Sequence, residues 1–183
     1  MNVLVYPDPF LRRKVQPVKT ITDELRRSIL AMFPTMYRTR GVGLAATQVG
    51  LDAQVFVLNL TGKPEDEVVL INPEITATEG EIRETEGCLS LPGLEARVRR
   101  AGHVRVRALD LEGKPFEVEG SELLARVLQH EIDHLGGLLF VDKIGPAARI
   151  GLKGRLKEME ERYRQKVQTT ETDHPAISGP ELG

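Results

Sequence analysis

A single α+β domain is predicted by three features of this 183-residue chain. One amphipathic helical stretch lies near the N-terminus, a block of short β-branched runs fills residues 51–120, and further helical stretches follow. The length suits one domain with a sizeable core. The core is mainly aliphatic, because only 4% of residues are aromatic and tryptophan is absent. With 25 Lys and Arg against 27 Asp and Glu, no global charge argues for nucleic acid or an anionic membrane as partner. No apolar run is long enough for a membrane span, and prolines interrupt the N-terminal "VLVYPDPF" where a signal peptide would need continuity. A cytoplasmic protein is expected. The lone cysteine, Cys88, forms no intramolecular disulfide, which suits a reducing compartment.

The first helix is expected from Thr22, a good N-cap, with Leu25, Ile29, Met32, Phe33, Met36 and Tyr37 on one face and Gly41 as its end. Pro34 predicts a kink or break inside it. "AQVFVLN", "EVVLINPEI", "VRVRALD" and "FEVEG" are expected strands, the last two forming a hairpin that turns at Glu112, Gly113 and Lys114. Ser121 is then the expected N-cap of "ELLARVLQHEIDHL", with Gly136 and Gly137 as its stop. A last helix is expected from Gly151 to about Gln168, with Leu152, Leu156, Met159 and Tyr163 on its contact face. Basic residues 149, 153, 155, 157, 162, 164 and 166 outnumber acidic residues 158, 160 and 161 there, making a local basic surface. Residues 1–168 make the expected domain. Residues 169–183, polar and rich in Pro and Gly, are expected to be a disordered tail in which His174 takes no part in chemistry.

The chemistry is concentrated in "LQHEIDHLGG", residues 128–137. Residues i and i+4 share a helix face, so His130 and His134 can direct both imidazoles at one ion, along the face that carries Leu123 and Val127. Glu131 would stand beside the ion and serve as general base for a water on it. The third ligand is open at this point. The metzincin pattern needs a histidine where Phe140 stands and is excluded, whereas a thermolysin-like glutamate from Glu158, Glu160 or Glu161 has a suitable separation. Upstream, Cys88 in "EGCLSLPG" offers a soft thiolate suited to Zn²⁺ or Fe²⁺, and Cys with two His would leave one position for water. "GVGLAATQVG", residues 41–50, adds small residues that let a substrate backbone approach and, in Gln48, an amide donor for an oxyanion.

Taken together, "GVGLAATQ" at 41–48, "EGCLS" at 86–90 and "QHEIDH" at 129–134 resemble the three signature motifs of the peptide deformylases, in the family order. The likeness runs from the N-terminus to about residue 144. The resemblance implies small, mostly antiparallel sheets around a central metal-binding helix, flanked by N- and C-terminal helices. It also implies removal of the formyl group from N-formylmethionine on newly made polypeptides. Residue by residue it makes Cys88, His130 and His134 the metal ligands, Glu131 the general acid/base, and Gln48 with the Leu89 backbone N–H the oxyanion hole. Main-chain groups near Val42 and Gly43 would pair with an extended peptide, and Val42, Leu123 and Val127 would hold the methionine side chain. The implied ion in the cell is Fe²⁺, with Zn²⁺, Ni²⁺ or Co²⁺ also able to fill the site. N-formylmethionyl nascent peptides are the implied partner, and ribosome contact through the basic C-terminal helix is a separate expectation. Two positions depart from the family pattern: Pro34, and Glu95 where many bacterial members carry arginine. A zinc endopeptidase and a non-catalytic module that binds nascent chains are the rival readings, the second weakened by the intact Glu131.

Overall fold

The computed structural model describes residues 1–172. In chain order the elements are α1 (Asp23–Leu30), α2 (Met32–Arg38), β1 (Gly43–Ala45), β2 (Val55–Leu58), β3 (Val68–Glu79) and β4 (Ile82–Cys88). β5 (Leu91–Arg100), β6 (His103–Leu109), β7 (Pro115–Ser121), α3 (Glu122–Leu135) and α4 (Pro146–Thr172) follow. All strand pairs are antiparallel. Five strands form one sheet in the order β1-β2-β3-β6-β7, and β4 with β5 forms a separate two-stranded sheet. This is the expected α+β architecture.

Layering follows from the side-chain alternation of the strands. β2 is buried at every position because its period of two serves two cores. Val55 and Val57 pack with Ile29, Met32, Phe33 and Met36 of α1 and α2, while Phe56 and Leu58 pack with Ala125, Leu128 and Leu135 of α3. A third core joins Leu91, Leu94 and Val98 of β5 to Leu139, Phe140 and Val141, with Leu152, Leu156 and Met159 of α4 packed against it. Helix α3 therefore lies between the large sheet and the β4–β5 hairpin, and brings its histidines to that junction.

The expected first helix is two helices. Thr22 caps it as expected, its Oγ1 accepting from Leu25 N–H at 3.2 Å. Pro34 has no N–H to donate to the Leu30 carbonyl and its ring crowds that group, so the chain breaks at Ala31 and restarts at Met32. The β6–β7 turn forms where expected: Asp110 Oδ1 accepts from the N–H groups of Glu112 and Lys114 at 2.9 and 2.8 Å. Ser121 occupies the N-cap position of α3 without a side-chain capping bond. Glu122 N–H instead donates to the Gly102 carbonyl at 3.1 Å. At the other end Gly137 has a φ of +76°, and a Cβ there would come within 2.5 Å of the Arg12 carbonyl oxygen. Only glycine fits.

Two expectations are corrected by α4. It starts at Pro146 rather than after Gly151, because proline is well placed at a helix's first position, and it continues to Thr172, past its expected end at about Gln168. The rest of the expected tail, His174 included, lies outside the described residues. β1 and β5 were not anticipated as strands. Among the described residues no helix is long and apolar enough to cross a membrane.

Candidate active site

Cys88 ends β4, and His130 and His134 lie one turn apart on α3. Their ligand atoms all fall within 4.8 Å of one another, the one such cluster of three among the described residues. Cys88 Sγ is 3.3 Å from His134 Nε2. Cys88 therefore stands with the two histidines as the third residue that could hold an ion. The glutamates of α4 do not. Glu160 accepts from Tyr6 Oη at 2.6 Å and Glu161 lies 3.9 Å from Lys157 Nζ.

His130 is oriented from behind. Glu86 Oε2 stands 3.1 Å from His130 Nδ1, which leaves Nε2 for the centre. Arg100 grips the same carboxylate with two hydrogen bonds, Nε to Oε1 at 2.9 Å and Nη2 to Oε2 at 3.0 Å, and reaches Asp133 Oδ2 at 2.5 Å with Nη1. Lys143 Nζ lies 3.1 Å from the other Asp133 oxygen. Burial alone would raise the Glu86 carboxyl, but the bonds from His130 and Arg100 prevail and hold it at about 2. Arg100 therefore ties β4, which ends at the cysteine, to α3, which carries the histidines. Nothing in the sequence pattern singled out Arg100, and Glu86 stood only as the first residue of "EGCLS", without a role of its own. Their charges, both buried, were visible, but their partnership depends on a hairpin that brings them together across sequence.

Electrostatics favour a cation here. Burial pulls His130 down, yet Cys88, Glu86 and the charge of Glu131 outweigh it and push the imidazole up to about 10. An anionic pocket of this kind retains either a proton or a metal cation at the same nitrogen. His134 is held well below its ordinary value, by burial and by the neighbouring His130, so it is neutral and able to ligate. The donor set of one sulfur and two imidazole nitrogens suits Zn²⁺, Fe²⁺ and related ions.

Glu131 is almost fully buried, at 4% exposure. Its Oε2 has no hydrogen-bond partner among the described residues, and burial raises its carboxyl to about 7. Buried carboxylate oxygens are rarely left unpaired, so this one is available to a reacting molecule. A Cβ on Gly43 would sit 2.5 Å from Glu131 Oε1. The glycine of β1 therefore makes the room that the carboxylate occupies.

Gln48 is oriented by β1 as well. Ala45 N–H donates to its Oε1 at 2.8 Å, which directs Nε2 towards Ser90 Oγ at 3.2 Å and Cys88 Sγ at 3.6 Å. A groove of about 630 Å³ opens over these groups, with Val42, Gly43, Gln48, Cys88, Leu89, Leu123, Val127, His130 and Glu131 on its walls. Every residue singled out in the sequence lines it except His134, which is buried beneath. β1 is the edge strand of the large sheet. Asn59 N–H donates to the Val42 carbonyl at 2.9 Å, so in the alternating antiparallel ladder Gly43 directs its own N–H and C=O away from β2, to the free edge.

The polypeptide deformylase family model matches residues 1–149. The chain belongs to that family. Deformylases remove the N-formyl group from nascent peptides, and the chain is a metal-dependent hydrolase of this class. Solved relatives agree throughout. A peptide deformylase from Legionella pneumophila is 44% identical, covers 88% of this chain and 96% of its own, and superposes with a TM-score of 0.82. Peptide deformylase 1B of Arabidopsis thaliana, solved with an inhibitor, is 38% identical over 97% of both chains, with a TM-score of 0.87. The Plasmodium falciparum peptide deformylase is 35% identical, covers 89% of this chain and 97% of its own, and has a TM-score of 0.85. The family match ends at residue 149, in the first turn of α4.

Proposed function

We propose that the chain deformylates N-formylmethionyl nascent peptides with Cys88, His130 and His134 as metal ligands and Glu131 as the proton carrier. The observation that carries this reading is the unpartnered, buried Glu131 oxygen beside a three-ligand cluster. A divalent ion held by those three residues supplies Lewis acidity, acidifying water and polarising a carbonyl.

The remaining work falls to the protein. Gly43 pairs its outward N–H and C=O with the peptide backbone, as an added strand would. Val42, Leu123 and Val127 surround the methionine side chain. Glu131 accepts a proton from the attacking water and passes it to the peptide nitrogen as the C–N bond breaks, releasing formate and a free amine. Gln48 Nε2 and the Leu89 N–H stabilise the negative charge that develops on the formyl oxygen. The Ala45 bond keeps the Gln48 amide in its donor orientation beforehand, so no reorganisation is needed at the moment of attack. We assign Fe²⁺ as the ion in the cell, with Zn²⁺, Ni²⁺ and Co²⁺ as alternatives, a cytoplasmic location, residues 1–168 as the catalytic unit, and ribosome contact through the basic face of α4. None of this calls for nucleic-acid specificity or a membrane.

The deciding experiment compares formyl-Met-Ala-Ser with acetyl-Met-Ala-Ser, using anaerobically prepared, iron-loaded protein. Formate from the first and no cleavage of the second is expected. A folded, metal-loaded protein that releases no formate would overturn the reading.

A further inference from the structure

We infer that the protein carries a second ligand site, which takes a zwitterionic dipeptide of apolar residues with its amine and carboxylate both free. The site is a cavity of about 340 Å³ between the N-terminal segment, the start of β5 and α4. That volume is at the lower end for small-molecule sites and suits a ligand of this size. It is separate from the catalytic groove: neither the three metal-site residues nor Gln48 nor Glu131 borders it, and the two cavities have only Pro92 and Leu94 in common.

The floor of the cavity is apolar, made by Val5, Pro92, Leu94 and Met159. Leu94 belongs to the third core, against which Met159 packs. Tyr6 donates its Oη to Glu160 at 2.6 Å and so holds the N-terminal segment to α4 beside the cavity. The rim carries both signs of charge. Arg155 and Arg162 lie two turns apart on α4, with Glu158 between them, one turn from each. Despite that spacing, the three side chains pair neither with one another nor with any other described residue. Arg155 turns back over β5, its Nη2 2.8 Å from where a Cβ on Gly93 would be. On the N-terminal segment, Asp8 accepts from Phe10 N–H at 2.9 Å with Oδ1, which leaves Oδ2 without a hydrogen bond among the described residues. Lys166 borders the cavity further along α4. A simple anion would meet repulsion from Glu158 and Asp8, and a simple cation from the arginines. A ligand with both charges satisfies the whole rim. Its carboxylate accepts from the guanidinium forks, its ammonium donates to Glu158 with Asp8 nearby, and its aliphatic side chains cover Leu94 and Met159. Glu158 stands about 5–6 Å from each arginine along the helix, and the ends of an extended dipeptide are about 7 Å apart, a difference that long side chains absorb.

The test is an NMR titration of the metal-loaded protein, labelled at its methionine methyls, with leucyl-leucine. Met159 reports on the cavity, while Met32 and Met36, buried in a different core, are controls. Saturable movement of the Met159 signal at about millimolar peptide is expected, with the controls still. N-acetyl-leucyl-leucine lacks the ammonium and leucyl-leucinamide lacks the carboxylate, so each should bind about two- to fivefold more weakly. Replacing both arginines, Arg155→Gln with Arg162→Gln, should remove the advantage of the parent peptide over the amide. Glu158→Gln should reduce its advantage over the acetyl form. No movement of Met159 at about 10 mM peptide would overturn the inference. Equal binding of all three peptides would do so too, since the apolar floor would then act alone. Tighter binding of the acetyl form would also overturn it, by showing a plain anion site. None of these readouts involves formate release, so the deformylase reading is tested separately.

Discussion

Helices α3 and α4 announce themselves in sequence by the same 3.6-residue rhythm, yet the protein holds them in different ways. α3 packs Ala125, Leu128 and Leu135 into the main core and is then fastened by buried polar groups. Gln129 exchanges two 3.0 Å hydrogen bonds with the backbone of Ala101, while Arg100 bonds Asp133 and Glu86 aligns His130. α4 rests on the hairpin through Leu152, Leu156 and Met159, none of them fully buried, and gains a long-range hydrogen bond from Tyr6 to Glu160. Apolar packing tolerates small displacements, whereas two imidazoles that must meet one sulfur require orientation. Directional bonds are concentrated where position decides chemistry.

The sharpest way to break the ordered region is a single methyl group. Gly43→Ala drives a Cβ to within 2.5 Å of Glu131 Oε1 and must displace it. Formate release should fall by about 10²–10⁴, the usual contribution of a general acid/base, with metal content unchanged. Steady-state kinetics alongside elemental analysis checks this, and near-normal kinetics would show that the carboxylate has room to adjust.

Next in size is Arg100→Met, which leaves Glu86 without its guanidinium partner and Asp133 with Lys143 alone. Breaking a buried ion pair from one side costs about 3–5 kcal/mol, and disturbing the residue behind a metal-ligating histidine costs about 10–100-fold in metal affinity. Denaturant titration and metal-binding isotherms read the two effects separately. Unaltered values for both would mean that the hairpin and α3 are joined by packing alone.

A smaller effect is set by pH. Glu86 is held at about 2 against an ordinary 4.5, so the fold prefers the ionised form. Its contribution is complete above pH 4.5 and is lost as pH falls towards 2. Glu86→Gln should therefore flatten the stability–pH curve across that window, as followed by denaturant unfolding at a series of pH values. An unchanged slope would place the acid sensitivity elsewhere. Smallest is Tyr6→Phe, which removes the Tyr6–Glu160 hydrogen bond to α4. A loss of about 1 kcal/mol with normal deformylation is expected. Reduced turnover in this variant would mean that α4 positions the site after all.

The same contrast explains what was legible beforehand. The i, i+4 histidines, the capping threonine, the Asp110–Lys114 turn and the break at Pro34 are local devices, written in a few consecutive residues. Cys88 was visible as a soft donor, but its union with the histidines had to come from the three motifs taken together. The pairing of β4 with β5 was missed because "IRETEGC" and "LPGLEARVRR" expose half or more of their residues and carry little apolar alternation. With them went Glu86 and Arg100, whose purpose exists only once the hairpin is folded against α3. Val42 lines the groove, yet its carbonyl is taken by Asn59, and the outward backbone groups belong to Gly43. That distinction is set by ladder register, which the order of residues alone does not reveal.

The central claim is a division of labour: Cys88, His130 and His134 hold the ion, and Glu131 moves the proton without holding it. Metal content and formate release measured together on Glu131→Gln test it most directly. The account predicts one ion per chain, as in the parent protein, and turnover lower by about 10²–10⁴. Loss of the ion from a folded Glu131→Gln protein, or turnover close to that of the parent, would contradict it.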